Sequence, residues 1–163
     1  MEGTSDQALS SADRSSSCGR PDCACSLPIG ERFVLWALRQ WQVDRAVPRE
    51  GTTLHRGFKM AGLIEALPGF AIAMDAFFFG ARRSLAIHLP TCSAVSRDEA
   101  TLLALCALAQ VDCDGPLLAS LDVMVAPTAS RVAAERLKSF TAALANAGLR
   151  LAPLPGDAGV RLN

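Results

Sequence analysis

The sequence lacks an excess of charge of either sign, because 16 acidic residues balance its 16 basic ones. It also contains no block of five or six like charges. A neutral chain has no broad positive potential to draw it to nucleic acids or anionic membranes. We therefore expect neither nucleic acid nor membrane among its partners.

The sequence also lacks a long uninterrupted apolar run. Its most apolar window, residues 61–81, is interrupted by Glu65, Pro68 and Asp75. One charged residue at the centre of a bilayer costs about 2.5–3.5 kcal/mol, so this window predicts buried helices rather than a membrane span. The first 17 residues are polar and slightly acidic, unlike a secretory signal. We therefore expect a cytoplasmic protein whose six cysteines are reduced.

Catalytic and cofactor motifs are missing as well. The sequence has no GxGxxG, P-loop, GxSxG, HExxH or kinase motif. Asp112, Asp114 and Asp122 do not follow the order of a calcium-binding loop. We therefore expect a binding protein rather than an enzyme: an accessory, adaptor or regulatory protein that acts by protein–protein binding.

The residues that are abundant favour an all-α fold. Half of the 163 residues are hydrophobic, and alanine and leucine, the strongest helix formers among them, dominate. A chain of this length suffices for one domain with a core. We predict a compact bundle of five to six helices at residues 29–151, after a disordered leader rich in serine and cysteine at 1–28 and before a flexible tail at 152–163.

Local signals place several helix boundaries. Residues 31–44 carry apolar side chains at helical spacing and predict the first helix. The sequence SRDE at 96–99 predicts a capping box at the start of another helix. Pro127 is expected to stop the preceding helix, and Thr128 to cap the last one. Residues 84–92 predict a short extended segment without an evident partner strand.

Cys18, Cys23 and Cys25 form the densest group of reactive side chains. Zinc prefers four ligands in a tetrahedron, and three thiols cannot complete one. Cys92 and His88, four residues apart, are the natural candidates for the fourth ligand. We therefore consider a zinc or iron site at these five residues as the alternative function, and cysteines incidental to a disordered leader as the simpler interpretation.

Cys92 has a second interpretation, as a nucleophile. It precedes the predicted capped helix, whose positive end would lower the pKa of a thiol. His88 is a candidate base, but the sequence identifies no third group to orient it. A structural histidine beside a buried cysteine is the commoner arrangement.

Two apolar features are candidates for an interface. Leu137, Phe140 and Leu144 share one face of the last predicted helix and would form either a homodimer seam or part of the core. Trp36 lies off the centre of the apolar face of the first helix. It is a candidate interface anchor, with filling of the core edge as the alternative.

Overall fold

The computed structural model describes residues 23–45 and 50–152, which fold into six α-helices. The helices are α1 (Ile29–Asp44), α2 (Thr53–Met60), α3 (Leu67–Gly80), α4 (Arg97–Gln110), α5 (Asp114–Met124) and α6 (Pro127–Asn146). Short 3-10 helices at Ala24–Ser26 and Ile64–Ala66 precede α1 and α3. Within these ranges there is no β-strand, only two isolated bridges. The prediction of an all-α bundle is confirmed.

The core is built around α3, as its nearly continuous apolar sequence predicts. This helix packs along α6, and α6 also contacts α4 and α5. Phe58, Phe70 and Phe140 meet at the centre, with ring centroids 5.0–6.1 Å apart. These are normal distances for tilted aromatic pairs, so the rings join α2, α3 and α6 in one core.

The boundaries of two helices show where the local signals succeed and fail. The capping box is confirmed: the Glu99 amide donates to Ser96 Oγ (3.0 Å), and the Ser96 amide donates to Glu99 Oε2 (2.8 Å). The predicted cap at Thr128 is wrong, because α6 begins at Pro127 after Ala126. Proline suits the first helical turn, where its fixed φ is helical and no N–H donor is needed.

The apolar stripe on α6 belongs to the core of the chain itself. Leu137, Phe140 and Leu144 have no exposed surface. Of the two alternatives for these residues, this burial favours the core over a homodimer seam, since side chains buried within one copy have no surface for a second. Trp36 is half-buried, and its ring lies against Gly57 of α2, where a Cβ atom would clash with it. Its indole therefore packs within the chain.

Residues on both flanks of the helical part also pack against it. Cys23, in the predicted leader, is buried and pairs with Ala94 in one of the two isolated bridges. The amide of Ala152, in the predicted tail, donates to Glu31 Oε1 (2.6 Å). Residues 1–22, most of the predicted leader, and 153–163, most of the predicted tail, lie outside the described residues. Among the described helices, none combines the length and apolarity needed to cross a bilayer.

Candidate functional site

Three aromatic side chains lead from the core to the surface. Trp41 of α1 is 8% exposed, Phe78 of α3 is 43% exposed and Phe79 is 82% exposed. The ring centroids are 5.8 Å apart for Trp41 and Phe78, and 5.6 Å apart for Phe78 and Phe79. Both contacts are edge-to-face, the geometry that aromatic quadrupoles favour. We call these three residues the aromatic row.

The sequence of α3 explains why the aromatic row reaches solvent. Phe77, Phe78 and Phe79 are consecutive, and successive residues of an α-helix point about 100° apart. Three consecutive side chains therefore cannot all face the same core. Phe77 is buried, Phe78 lies at the edge and Phe79 projects into solvent.

The aromatic row borders a groove of about 390 Å³, between α1, α3 and the segment that joins α3 to α4. The described residues that line it are Leu38, Trp41, Gln42, Met74, Phe77, Phe78, Leu85, Ile87 and Leu102. All except Gln42 are apolar. We call it the α1–α3 groove. The volume of about 390 Å³ includes the solvent at the open side of the groove. Its apolar lining is typical of sites that bind apolar groups.

One wall of the groove, which carries Leu85 and Ile87, has no regular secondary structure of its own. Carboxylates at the start of α4 bind its backbone instead: the Ala86 amide donates to Asp98 Oδ2 (2.7 Å) and the His88 amide to Glu99 Oε1 (2.9 Å). These bonds satisfy amides that would otherwise lack partners in a loop. The first turn of α4 therefore fixes the position of this wall.

A buried ion pair ties the same wall to α1. The Glu99 carboxylate receives hydrogen bonds from Arg39 Nε (2.7 Å) and Nη2 (2.9 Å), and both side chains are almost fully buried. Arg39 Nη2 also donates to the Ala94 carbonyl (2.6 Å). Burial opposes ionisation of Glu99, but the donors Arg39, Ser96 and His88 outweigh it and hold its pKa below the usual value.

Asp98 forms the second ion pair at this wall. Arg83 Nη1 donates to Asp98 Oδ2 (2.8 Å), and Arg83 Nη2 donates to Oδ1 (2.5 Å). This bidentate hydrogen bonding lowers the pKa of Asp98 to about 2. Asp98 is therefore ionised at neutral pH and holds the turn after α3 against α4.

A second cavity, also of about 390 Å³, lies against Trp41 and is more polar. Its lining residues are Trp41, Asp44, Arg45, Thr52, Leu54, Leu67 and Asp75. Asp44 Oδ2 accepts a hydrogen bond from the Leu54 amide (2.9 Å), which joins the end of α1 to the first turn of α2. Residues 46–49, which follow Arg45 in the sequence, lie outside the described residues.

The structure brings two of the predicted metal-ligating segments together. The Ala24 amide donates to the Ser93 carbonyl (2.8 Å), beside the bridge between Cys23 and Ala94. Cys23 is therefore placed next to the segment that carries Cys92. Cys25 is exposed, whereas Cys92 is half-buried.

The predicted ligand set is not complete in the part of the chain described. No three histidine, cysteine or acidic side chains there are grouped closely enough to hold a metal ion. Cys18 lies outside the described residues. His88 Nδ1 lies 3.1 Å from the Ala94 carbonyl oxygen and 3.5 Å from Glu99 Oε2. A metal at this place would therefore need a ligand from outside the described residues.

Helical periodicity alone does not predict that the end of α3 is exposed. The run of three phenylalanines is a usable signal, since a helix cannot bury three consecutive side chains equally.

The chain matches no protein-family profile, and comparisons with curated proteins and with solved structures gave no match.

Proposed function

We propose that this chain is a protein-binding module, of the adaptor or regulatory kind, whose α1–α3 groove receives an apolar segment of a partner protein. The observation that carries this proposal is the aromatic row, in which an exposed phenylalanine continues a groove lined by apolar side chains. Burying a phenylalanine side chain is worth about 1.5–3 kcal/mol. Phe79 leaves most of this free energy available for binding a partner.

Exposed apolar residues are common, so contiguity is what distinguishes this site. Met60 is 90% exposed on α2 and is absent from the lining of the groove. Phe79, in contrast, contacts Phe78, which lines the groove together with Trp41. Aromatic anchors beside a pocket are typical of the residues that dominate binding energy at protein interfaces.

The groove is also held in shape without a partner. The Arg39–Glu99 ion pair and the Asp98 hydrogen bonds fix the wall that carries Leu85 and Ile87. A preformed site loses less conformational entropy on binding than a loop that must first be ordered. These contacts, which hold the wall in place, therefore support a binding role for the groove.

The test places a photo-reactive residue at the site in living cells. Phe79→p-benzoylphenylalanine is compared with Met60→p-benzoylphenylalanine, which reports from an equally exposed position outside the groove. We expect a discrete protein adduct at position 79 that is missing at position 60. The captured protein is then produced in pure form, and its affinity is measured by calorimetry.

Binding of the purified pair that falls at least tenfold on Phe79→Ser, and is unchanged by Met60→Ser, supports the proposal. Equal adducts at both positions contradict the proposal, and so does an affinity that Phe79→Ser leaves unchanged.

We propose that the protein acts in the cytoplasm. In that compartment its cysteines would stay reduced.

We propose metal binding as a second candidate function, at Cys23, Cys25, Cys92 and His88 with Cys18. It is favoured by the backbone pairing of Cys23 with Ala94. Elemental analysis of protein purified without an affinity tag tests it. Stoichiometric zinc or iron that is lost in the Cys23→Ser/Cys25→Ser variant supports this function, whereas metal-free protein of unchanged stability excludes it.

A further inference from the structure

We propose that the segment bound in the α1–α3 groove is acidic and amphipathic. It places an apolar side chain against the aromatic row and carboxylates beside Arg45 and Arg83. This inference rests on the proposed function and names the chemistry of the partner. It follows from how the charges near the groove are divided between interior and surface.

Negative charges at the wall of the groove point inward. Asp98 is 6% exposed in its ion pair, whereas its partner Arg83 is 64% exposed. Both Asp98 oxygens are already occupied, by Arg83 and by the Ala86 amide. Glu99 is fully buried with Arg39. The charge that this wall presents to solvent is therefore the guanidinium of Arg83.

The aromatic side of the groove has the same asymmetry. The guanidinium carbon of Arg45 lies 3.7 Å from the centroid of the Phe78 ring, and Arg45 is exposed. A guanidinium stacked on a ring keeps its edge N–H groups free to approach a carboxylate. The adjacent Asp44 is half-buried, and its carboxylate accepts hydrogen bonds from Gln40 (3.0 Å) and from the Leu54 amide. Asp75, which lines the same cavity as Asp44 and Arg45, is also half-buried and takes part in an interaction of its own.

Two exposed guanidinium groups, those of Arg45 and Arg83, therefore lie near the groove although the whole chain is neutral. An apolar side chain of the bound segment would cover the apolar side chains of the groove. Carboxylates on either side of it would pair with Arg45 and Arg83. A basic segment would be repelled, and an uncharged one would gain only the apolar contact. An anionic membrane is less suitable than a peptide, because two exposed arginines supply little attraction to a lipid surface.

The experiment uses three synthetic peptides that share one apolar helical face and carry glutamate, glutamine or lysine on the other. Binding of each fluorescently labelled peptide to the full chain is followed by anisotropy at low and at 0.5 M salt. We expect the glutamate peptide to bind about tenfold more tightly than the glutamine peptide at low salt. This advantage should disappear at 0.5 M salt, because salt screens exposed charges.

Variants assign the effect to residues. Arg45→Gln is expected to remove most of the preference for glutamate, measured as the ratio of the affinities of the glutamate and glutamine peptides for the same variant. Arg83→Gln should act in the same direction, with circular dichroism and thermal unfolding showing that the fold persists. Arg32→Gln, an exposed arginine elsewhere on α1, is the matched control and should leave the preference intact.

The outcomes separate this inference from the proposed function. Equal binding of the glutamate and glutamine peptides, reduced in both cases by Phe79→Ser, overturns the acidic partner but retains protein binding. No binding of any peptide at millimolar concentration overturns the acidic partner, and the cross-linking comparison of positions 79 and 60 then decides the proposed function separately. Binding to vesicles containing phosphatidylserine that equals or exceeds binding of the glutamate peptide likewise overturns the acidic partner.

Discussion

The apolar stripe on α6 and the aromatic row, which α1 and the end of α3 share, are both apolar but have opposite surroundings. Leu137, Phe140 and Leu144 repeat at helical spacing and looked suitable for an interface, yet all three are fully buried. Phe78 and Phe79 follow a buried phenylalanine in the most apolar helix and are exposed. The comparison teaches that an apolar helical face identifies a contact surface but not the molecule that covers it.

The largest expected effect comes from a substitution in the α6 stripe. Phe140→Ala removes a ring that contacts Phe58 and Phe70 at the centre of the core. We expect the free energy of unfolding to fall by about 3–5 kcal/mol, because lost burial and a residual cavity both contribute. Urea denaturation followed by circular dichroism measures this loss, and a loss below about 1 kcal/mol would contradict a core role for Phe140.

Breaking the buried Arg39–Glu99 ion pair behind the groove should lower the free energy of unfolding almost as much. Glu99→Ala leaves Arg39 buried without its carboxylate partner and removes an acceptor of the His88 amide. We expect a loss of about 3–5 kcal/mol, typical for breaking one side of a buried pair. Thermal unfolding measures the loss, and Glu135→Ala, at an exposed position of α6, is the control. Similar melting temperatures for the two variants would show that the pair does not stabilise the wall.

Asp98 should give the wall a dependence on pH. Its pKa lies at about 2, below the ordinary 3.8, because of the hydrogen bonds from Arg83. A depressed pKa in the folded state stabilises the protein above the unfolded value, so this contribution is lost as the pH falls from about 4 to 2. We expect a loss of about 1–2 kcal/mol, since the exposed Arg83 is partly screened by solvent.

Urea denaturation at several pH values measures this slope. Asp98→Asn should be less stable than the natural chain at neutral pH, and the two should converge near pH 2. A constant difference in the free energy of unfolding between the two chains across this range would refute the assignment to Asp98.

The smallest effect on stability is expected at the exposed end of the aromatic row. Phe79→Ser should change the free energy of unfolding by less than about 0.5 kcal/mol, because the ring is largely in solvent. The same substitution should weaken partner binding at least tenfold. A stability loss comparable to that of Phe140→Ala would mean that the aromatic row contributes to the core as much as the α6 stripe does.

Several features of the fold were predictable because their causes are local. The capping box at Ser96 and Glu99 depends on two residues three positions apart, and it formed as expected. Pro68, which interrupts the apolar window, lies in the first turn of α3, where proline is tolerated. The cap of α6 was misplaced because Pro127 is compatible with the beginning of one helix as well as the end of another.

The candidate site was much less predictable, because its parts are distant in sequence. The Arg39–Glu99 pair spans 60 residues, and the groove combines side chains from α1, α3, α4 and the segment before α4. The approach of Cys23 to Ala94 joins the predicted leader to a loop about 70 residues later. Periodicity cannot show such contacts, since it reports only which residues share a face of one helix.

The sequence by itself determined the all-α class and the main helix signals, because propensity, spacing and capping act within one or two turns. Only the tertiary structure decided which apolar faces meet each other. It used the α6 stripe to fill the core and left Phe78 and Phe79 at the surface. The physical reason is that a bundle has a limited interior, and three consecutive phenylalanines on one helix cannot all enter it.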